Sequence, residues 1–159
     1  MSEPFDPTAA DEDHGAREAP PRGKSPRHYA MDLLARREYS QRELMERLHR
    51  RYREATAEAL AEVVQQLADE GLQNDLRFAE SYVRLRVSRG QGPAKIAWEL
   101  QQRGIDAPTA DSLLAAYDWR ELADAALDKK YGRRQPQDLQ DKARMARFLS
   151  QRGFDWDHL

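Results

Sequence analysis

The sequence predicts an all-α protein: three tandem three-helix repeats forming an elongated, curved array, with the third repeat truncated. Three observations carry that prediction. One cadence, Leu-x-x-Arg and then a turn, closes a helical stretch three times: Leu48-His49-Arg50-Arg51-Tyr52, Leu100-Gln101-Gln102-Arg103-Gly104-Ile105 and Leu149-Ser150-Gln151-Arg152-Gly153-Phe154. Four residues before each Leu stands another apolar residue (Leu44, Ile96, Met145), one turn away on the same helix face. The copies lie 52 and 49 residues apart, and no stretch shows the strict alternation of a strand. Stacked units of this kind more often offer an extended binding surface than a catalytic pocket.

Taken in order, residues 1–26 hold five of the eight prolines, six acidic residues and only Phe5 as a large apolar side chain. Such a segment buries too little surface to offset its ordering entropy, so the expectation is a disordered acidic tail. The first repeat, 27–74, opens with Ala30, Leu33 and Leu34 on one helix face. Ser40-Gln41-Arg42-Glu43 reads as a capping box that starts a second helix carrying Leu44 and Leu48. Thr56 caps a third, with Leu60, Val63, Val64 and Leu67 inward and Gly71 as the stop.

The second repeat, 75–118, starts with Asp75 as a cap and Phe78, Ala79, Tyr82 and Leu85 inward. Gly90-Gln91-Gly92-Pro93 breaks that helix, and Pro93 suits the first turn of the next one, which carries Ile96 and Leu100. Residues 106–117, with Ala110, Leu113 and Leu114, form its third helix. The third repeat, 119–159, has a helix over 119–131 with Leu122, Ala126 and Leu127 inward, then a loop and a helix over 139–151. Against its own ruler, the sequence stops inside a ninth helix.

Composition sets the class. With 26 Lys and Arg against 28 Asp and Glu, net charge suggests no partner. No apolar run approaches the roughly 20 residues of a membrane span. The acidic N-terminus lacks the pattern of a signal peptide, and there is no Cys. These features predict a soluble cytoplasmic protein with no membrane role.

Near-neutrality hides a phased segregation of charge. Residues 36–53 hold seven Arg and three Glu, 84–103 five basic residues and one Glu, and 129–152 eight basic residues and two Asp. Between them, 54–75 holds six acidic residues and no basic one, and 104–128 six acidic residues and one Arg. A solvated charged face is the ordinary explanation of any single run, but recurrence at one phase in three units points to a basic side. Such a side suits a phosphate backbone or an acidic protein groove. Its candidate residues are Arg36, Arg37, Arg47, Arg50 and Arg51 in the first repeat. In the second they are Arg84, Arg86, Arg89, Lys95 and Arg103, and in the third Lys129, Lys130, Arg144, Arg147 and Arg152. Trp98 occupies the position held by Glu46 and Arg147 in the sister repeats, about 200° around the helix from inward Ile96. It is either an aromatic contact residue or packs on a neighbouring repeat. Trp119 and Trp156 fall at helix starts and read as packing residues.

Catalytic signals are thin. The four histidines are scattered, none at metal-ligand spacing. There is no phosphate-binding glycine loop, dinucleotide fingerprint or serine elbow, and Gly90-Gln91-Gly92 reads as a turn. The expectation is a non-enzyme with no cofactor and no metal.

The run Asn74-Asp75-Leu76-Arg77-Phe78-Ala79-Glu80-Ser81-Tyr82-Val83-Arg84, followed by Arg86, Gly90, Gly92, Pro93, Ile96, Glu99, Leu100, Gly104 and Ile105, resembles the central repeat of the bacterial regulatory protein family RecX. The flanks agree: Leu33-Leu34-Ala35-Arg36-Arg37-Glu38-Tyr39-Ser40 with Glu43-Leu44 before it, and Lys129-Lys130-Tyr131-Gly132, Arg147-Phe148-Leu149 and Arg152-Gly153-Phe154 after it. The resemblance covers about 27–159. It implies tandem three-helix repeats that bind RecA and RecA–DNA filaments and modulate, mainly inhibit, strand exchange, ATP hydrolysis and co-protease activity. It also implies no enzymatic activity and a cytoplasmic location. The acidic head and the shortened last repeat depart from the family pattern. The contact residues rest on charge phasing, with Arg47, Arg51 and Arg103 the first choices for charge reversal. The alternative is a direct phosphate-backbone DNA-binding module without a RecA partner, and a third reading is a scaffold with no nucleic-acid role. A monomer is the expected state.

Overall fold

The computed structural model describes residues 23–155, and among them every regular element is helical. The described residues form eight helices: α1 (Pro26–Arg36), α2 (Gln41–Arg51), α3 (Ala57–Asp69), α4 (Asp75–Ser88), α5 (Pro93–Gln102), α6 (Ala107–Leu114), α7 (Trp119–Tyr131) and α8 (Leu139–Arg152). The expected tail lies outside the described residues up to 22. Its last residue, Pro26, is the first residue of α1, with the Ser25 hydroxyl accepting from the His28 N–H as N-cap. Trp156 and the expected start of a ninth helix lie outside the described residues.

Helix starts follow local chemistry. Ser40 and Glu43 form the expected capping box, with Glu43 N–H donating to the Ser40 hydroxyl and Ser40 N–H to the Glu43 carboxylate, both at 3.1 Å. Thr56, Asp106, Asp118 and Asp138 cap α3, α6, α7 and α8. One cap differs from expectation. The Asn74 side chain, not Asp75, accepts the Arg77 N–H that opens α4. Asp75 is employed elsewhere, accepting the Gln41 N–H and the Gln73 side-chain amide, each at 2.9 Å. α6 also ends earlier than expected: the Trp119 indole N–H donates to the Leu114 carbonyl at 2.8 Å, satisfying a terminal acceptor there.

The chain divides into two compact units, and the division falls within α4. One holds residues up to Tyr82 together with Arg103–Ile105, and the other holds Val83–Gln102 and the chain from Asp106 onward. In the first, Ala30, Leu33, Tyr39, Leu44, Leu48, Leu60, Val64 and Leu67 form one core from α1, α2 and α3. Gln73, fully buried, fastens it by donating to the Tyr39 carbonyl as well as to Asp75. In the second, Ala123, Leu149 and Phe154 form a core flanked by Trp119, Leu122, Ala126, Leu127 and Phe148. The expected inward residues of α7 are thus only half-buried, and Ala123 is its fully buried position.

The Gly90–Pro93 break does more than turn the chain. Gly92 N–H donates to the Arg152 carbonyl at 2.6 Å, and Ala94 N–H to the Gly153 carbonyl at 3.1 Å. The N-terminus of α5 therefore meets the C-terminus of α8, each supplying what the other end lacks. The approach needs glycine, since a Cβ at Gly92 would collide with the Gly153 backbone.

Candidate binding surface of the second helices

The repeated cadence places equivalent residues of α2, α5 and α8. Its apolar pairs are all buried: Leu44 and Leu48, Ile96 and Leu100, Met145 and Leu149. Two residues beyond the first member of each pair, the helix turns about 200°, and Glu46, Trp98 and Arg147 all face solvent. Trp98 is 61% exposed, so of its two readings the structure supports an exposed side chain rather than packing.

The cadence arginines share a geometry that the sequence did not reveal. The Arg51 guanidinium lies over the Tyr29 ring at 4.4 Å, Arg103 over Tyr82 at 4.7 Å and Arg152 over Phe148 at 5.2 Å. Each is within cation–π range. In the first two repeats the ring comes from the first helix of the same repeat: Arg51 ties α2 to α1, and Arg103, just past the end of α5, lies over a ring of α4. In the third it comes from α8 itself, four residues back. The signal was present as an aromatic in each first helix or one turn upstream, but spacing alone does not show which ring faces the guanidinium.

Two expected surface cations are buried. Arg37 is 7% exposed, lies over the Tyr39 ring at 3.6 Å and pairs with Glu43 at 3.3 Å. Arg86 is 5% exposed and pairs with Glu99 at 3.2 Å. Desolvated and ion-paired, both guanidiniums are structural rather than surface contacts. The other candidates divide by exposure. Arg36, Arg50, Arg84, Lys95, Lys129, Lys130, Arg144, Arg147 and Arg152 are exposed, and Arg47, Arg51, Arg89 and Arg103 half-buried.

Local pairing qualifies Arg144. Asp141 at the start of α8 accepts from Arg134, Arg144 and the Gln137 N–H. The Arg134 hydrogen bond, then those from Arg144 and Gln137, hold its carboxyl well below the usual range. In the second unit, four expected cations (Arg89, Lys129, Lys130 and Arg152) surround one cavity.

The fold and its exposed cations define a class: a helical-repeat protein whose second helices present basic side chains from a packed core. Residues 74–114 match the family signature described as RecX, second three-helix domain, and 117–158 that described as RecX, third three-helix domain. The chain is 46% identical to "Regulatory protein RecX" of Chromohalobacter salexigens over 140 residues, covering 85% of this chain and 88% of that one. It is 43% identical to the protein of that name from Halorhodospira halophila, covering 84% of this chain and 83% of the other. The crystal structure of RecX from Lactobacillus salivarius shares the fold, with a TM-score of 0.68 at 24% identity over 84% of this chain and 88% of that one. The chain belongs to the RecX family of regulatory proteins. Among the described residues, no helix is long and apolar enough to cross a membrane.

Proposed function

We propose that the protein binds RecA and RecA–DNA filaments through the exposed cations of its second helices, and that binding restrains strand exchange, ATP hydrolysis and co-protease activity. The observation that supports this reading is the recurrence of exposed basic side chains on the second helix of each repeat: Arg50 on α2, Lys95 on α5, and Arg144 and Arg147 on α8. Buried apolar pairs hold each of these helices, so the charges are presented without further ordering of the backbone. A ligand lying along a filament groove competes with incoming duplex and limits the subunit movements that ATP turnover needs. Trp98 is an aromatic anchor of the kind that dominates protein interfaces. The reading gives the protein no catalytic role or cofactor and places it in the cytoplasm as a monomer, with its filament.

The test is co-sedimentation with RecA filaments formed on single-stranded DNA, alongside a salt titration on naked single- and double-stranded DNA. Pelleting with the filament, together with weak and strongly salt-dependent binding to naked DNA, is the expected result. Equal affinity for naked DNA and filament would favour the phosphate-backbone module instead. Absence from the filament pellet would overturn the proposal.

A further inference from the structure

The cavity in the second unit goes beyond a general basic face, because it combines cations with an apolar floor. It has a volume of about 370 Å³, and Leu122 and Ala126 of α7 and Phe148 of α8, with Val87 of α4 and Ala125 of α7, supply its apolar surface. Around it stand Arg89, Lys129, Lys130 and Arg152, and among the described residues no acidic side chain lines it. Lys129 and Lys130 are exposed and have no carboxylate partner among the described residues. Lys130 and Arg152 both lie over the Phe148 ring, at 6.0 and 5.2 Å.

We infer that this cavity receives an acidic peptide segment of a protein partner, one apolar side chain seated on the floor and flanking carboxylates meeting Lys129, Lys130 and Arg152. Three features favour a peptide over a nucleic acid. The ring of Phe148 already faces two cations, which leaves no open stacking platform for a base of the kind single-strand binders use. A floor of Leu, Ala and Phe rewards a side chain that a phosphodiester backbone does not carry. The cations also stand at helix C-terminal ends: Lys129 and Lys130 in the last turn of α7, Arg152 in the last turn of α8, and Arg89 just past α4. Carbonyl dipoles there offset part of the positive charge, as in the hydrogen bond from Arg152 to the Arg89 carbonyl. What remains suits a few carboxylates better than a dense polyanion.

The inference rests on the proposed filament binding only for the source of the segment, and it is tested without RecA. Fluorescence anisotropy of the full chain is measured with a labelled peptide in which one Phe is flanked by Asp and Glu. Binding is expected to weaken at least about tenfold when that Phe becomes Ser, as for an anchor residue. It is expected to weaken comparably in Ala125→Phe, which fills the mouth of the cavity from an exposed position on α7. Circular dichroism checks the fold, and Lys129→Glu with Lys130→Glu decides the matter if Ala125→Phe loses helicity. Equal affinity for the Phe-less peptide, or undiminished binding by the folded variants, overturns the inference. Displacement of the peptide by inorganic phosphate or a short oligonucleotide also overturns it, assigning the cavity to phosphate. Should the wild type pellet with filaments yet ignore the peptide, only this inference fails. If it binds the peptide but not filaments, only the proposed partner fails.

Discussion

The first turns of α2 and α8 are built alike and used differently. In each, an acidic side chain at the third helical position is anchored by an upstream arginine, Arg37 with Glu43 and Arg134 with Asp141. Both arginines also lie over a tyrosine ring, Tyr39 and Tyr131. The difference is solvent. The Arg37 side chain is 2% exposed, whereas Arg134 is 34% exposed and Arg144, which also reaches Asp141, is 60% exposed. One device is sealed into a core, while the other sits at a surface where its cations still meet water. The first turn of α5 uses neither. The N–H groups of Gly92 and Ala94 at its start are met by the Arg152 and Gly153 carbonyls at the end of α8, and its third position is Lys95, exposed and not used as an anchor. Equivalent positions therefore carry either a structural charge or a surface charge according to what caps the helix.

This contrast can be broken at several points. The largest effect is expected at the sealed start of α2: Arg37→Ala leaves the Glu43 carboxylate buried without its guanidinium and costs about 3–5 kcal/mol. Urea denaturation should show it, with Arg134→Ala costing distinctly less. Next is Gly92→Ala, where the new Cβ meets the Gly153 backbone and the α5–α8 junction must shift, at about 1–3 kcal/mol. Hydrogen exchange at the Ala94 amide is expected to accelerate in that variant while Leu44 and Leu48 amides stay protected.

A smaller effect, read by pH, isolates the solvent-facing start of α8. The Asp141 carboxyl is held below its unfolded value of about 3.9. Its contribution is therefore fully present above that value and is lost as pH falls through the lower folded-state value. Denaturation midpoints measured from about pH 6 to pH 2 should fall less steeply in Asp141→Asn than in the wild type. An identical acid slope would show that the carboxylate is not held as the geometry indicates. The smallest effects on stability are expected for Trp98→Ala and Arg147→Ala, within about 0.5 kcal/mol by thermal melts, because both side chains face solvent.

Much of the fold was legible because its rules are local. The apolar pairs of the cadence, the Ser40–Glu43 box, the Thr56 cap and the bounds of α7 need only neighbours along the chain. The site was legible in outline, as basic segments recurring in phase. Its division was not. Arg37 and Arg50 look alike in a charge count, yet one lies against Tyr39 in the core and the other on the surface. Arg86 carries the same lesson, since its partner Glu99 is remote in sequence. Arg51 and Arg103, first choices for charge reversal, lie over tyrosine rings, so their replacement would confound stability with binding.

The most direct test reverses only exposed charges. Arg50→Glu, Lys95→Glu and Arg147→Glu in one chain are predicted to leave the thermal melt nearly unchanged while abolishing both co-sedimentation with RecA filaments and inhibition of their ATPase. An unaltered melt accompanied by wild-type co-sedimentation and inhibition would contradict the assignment of binding to the exposed cations of the second helices.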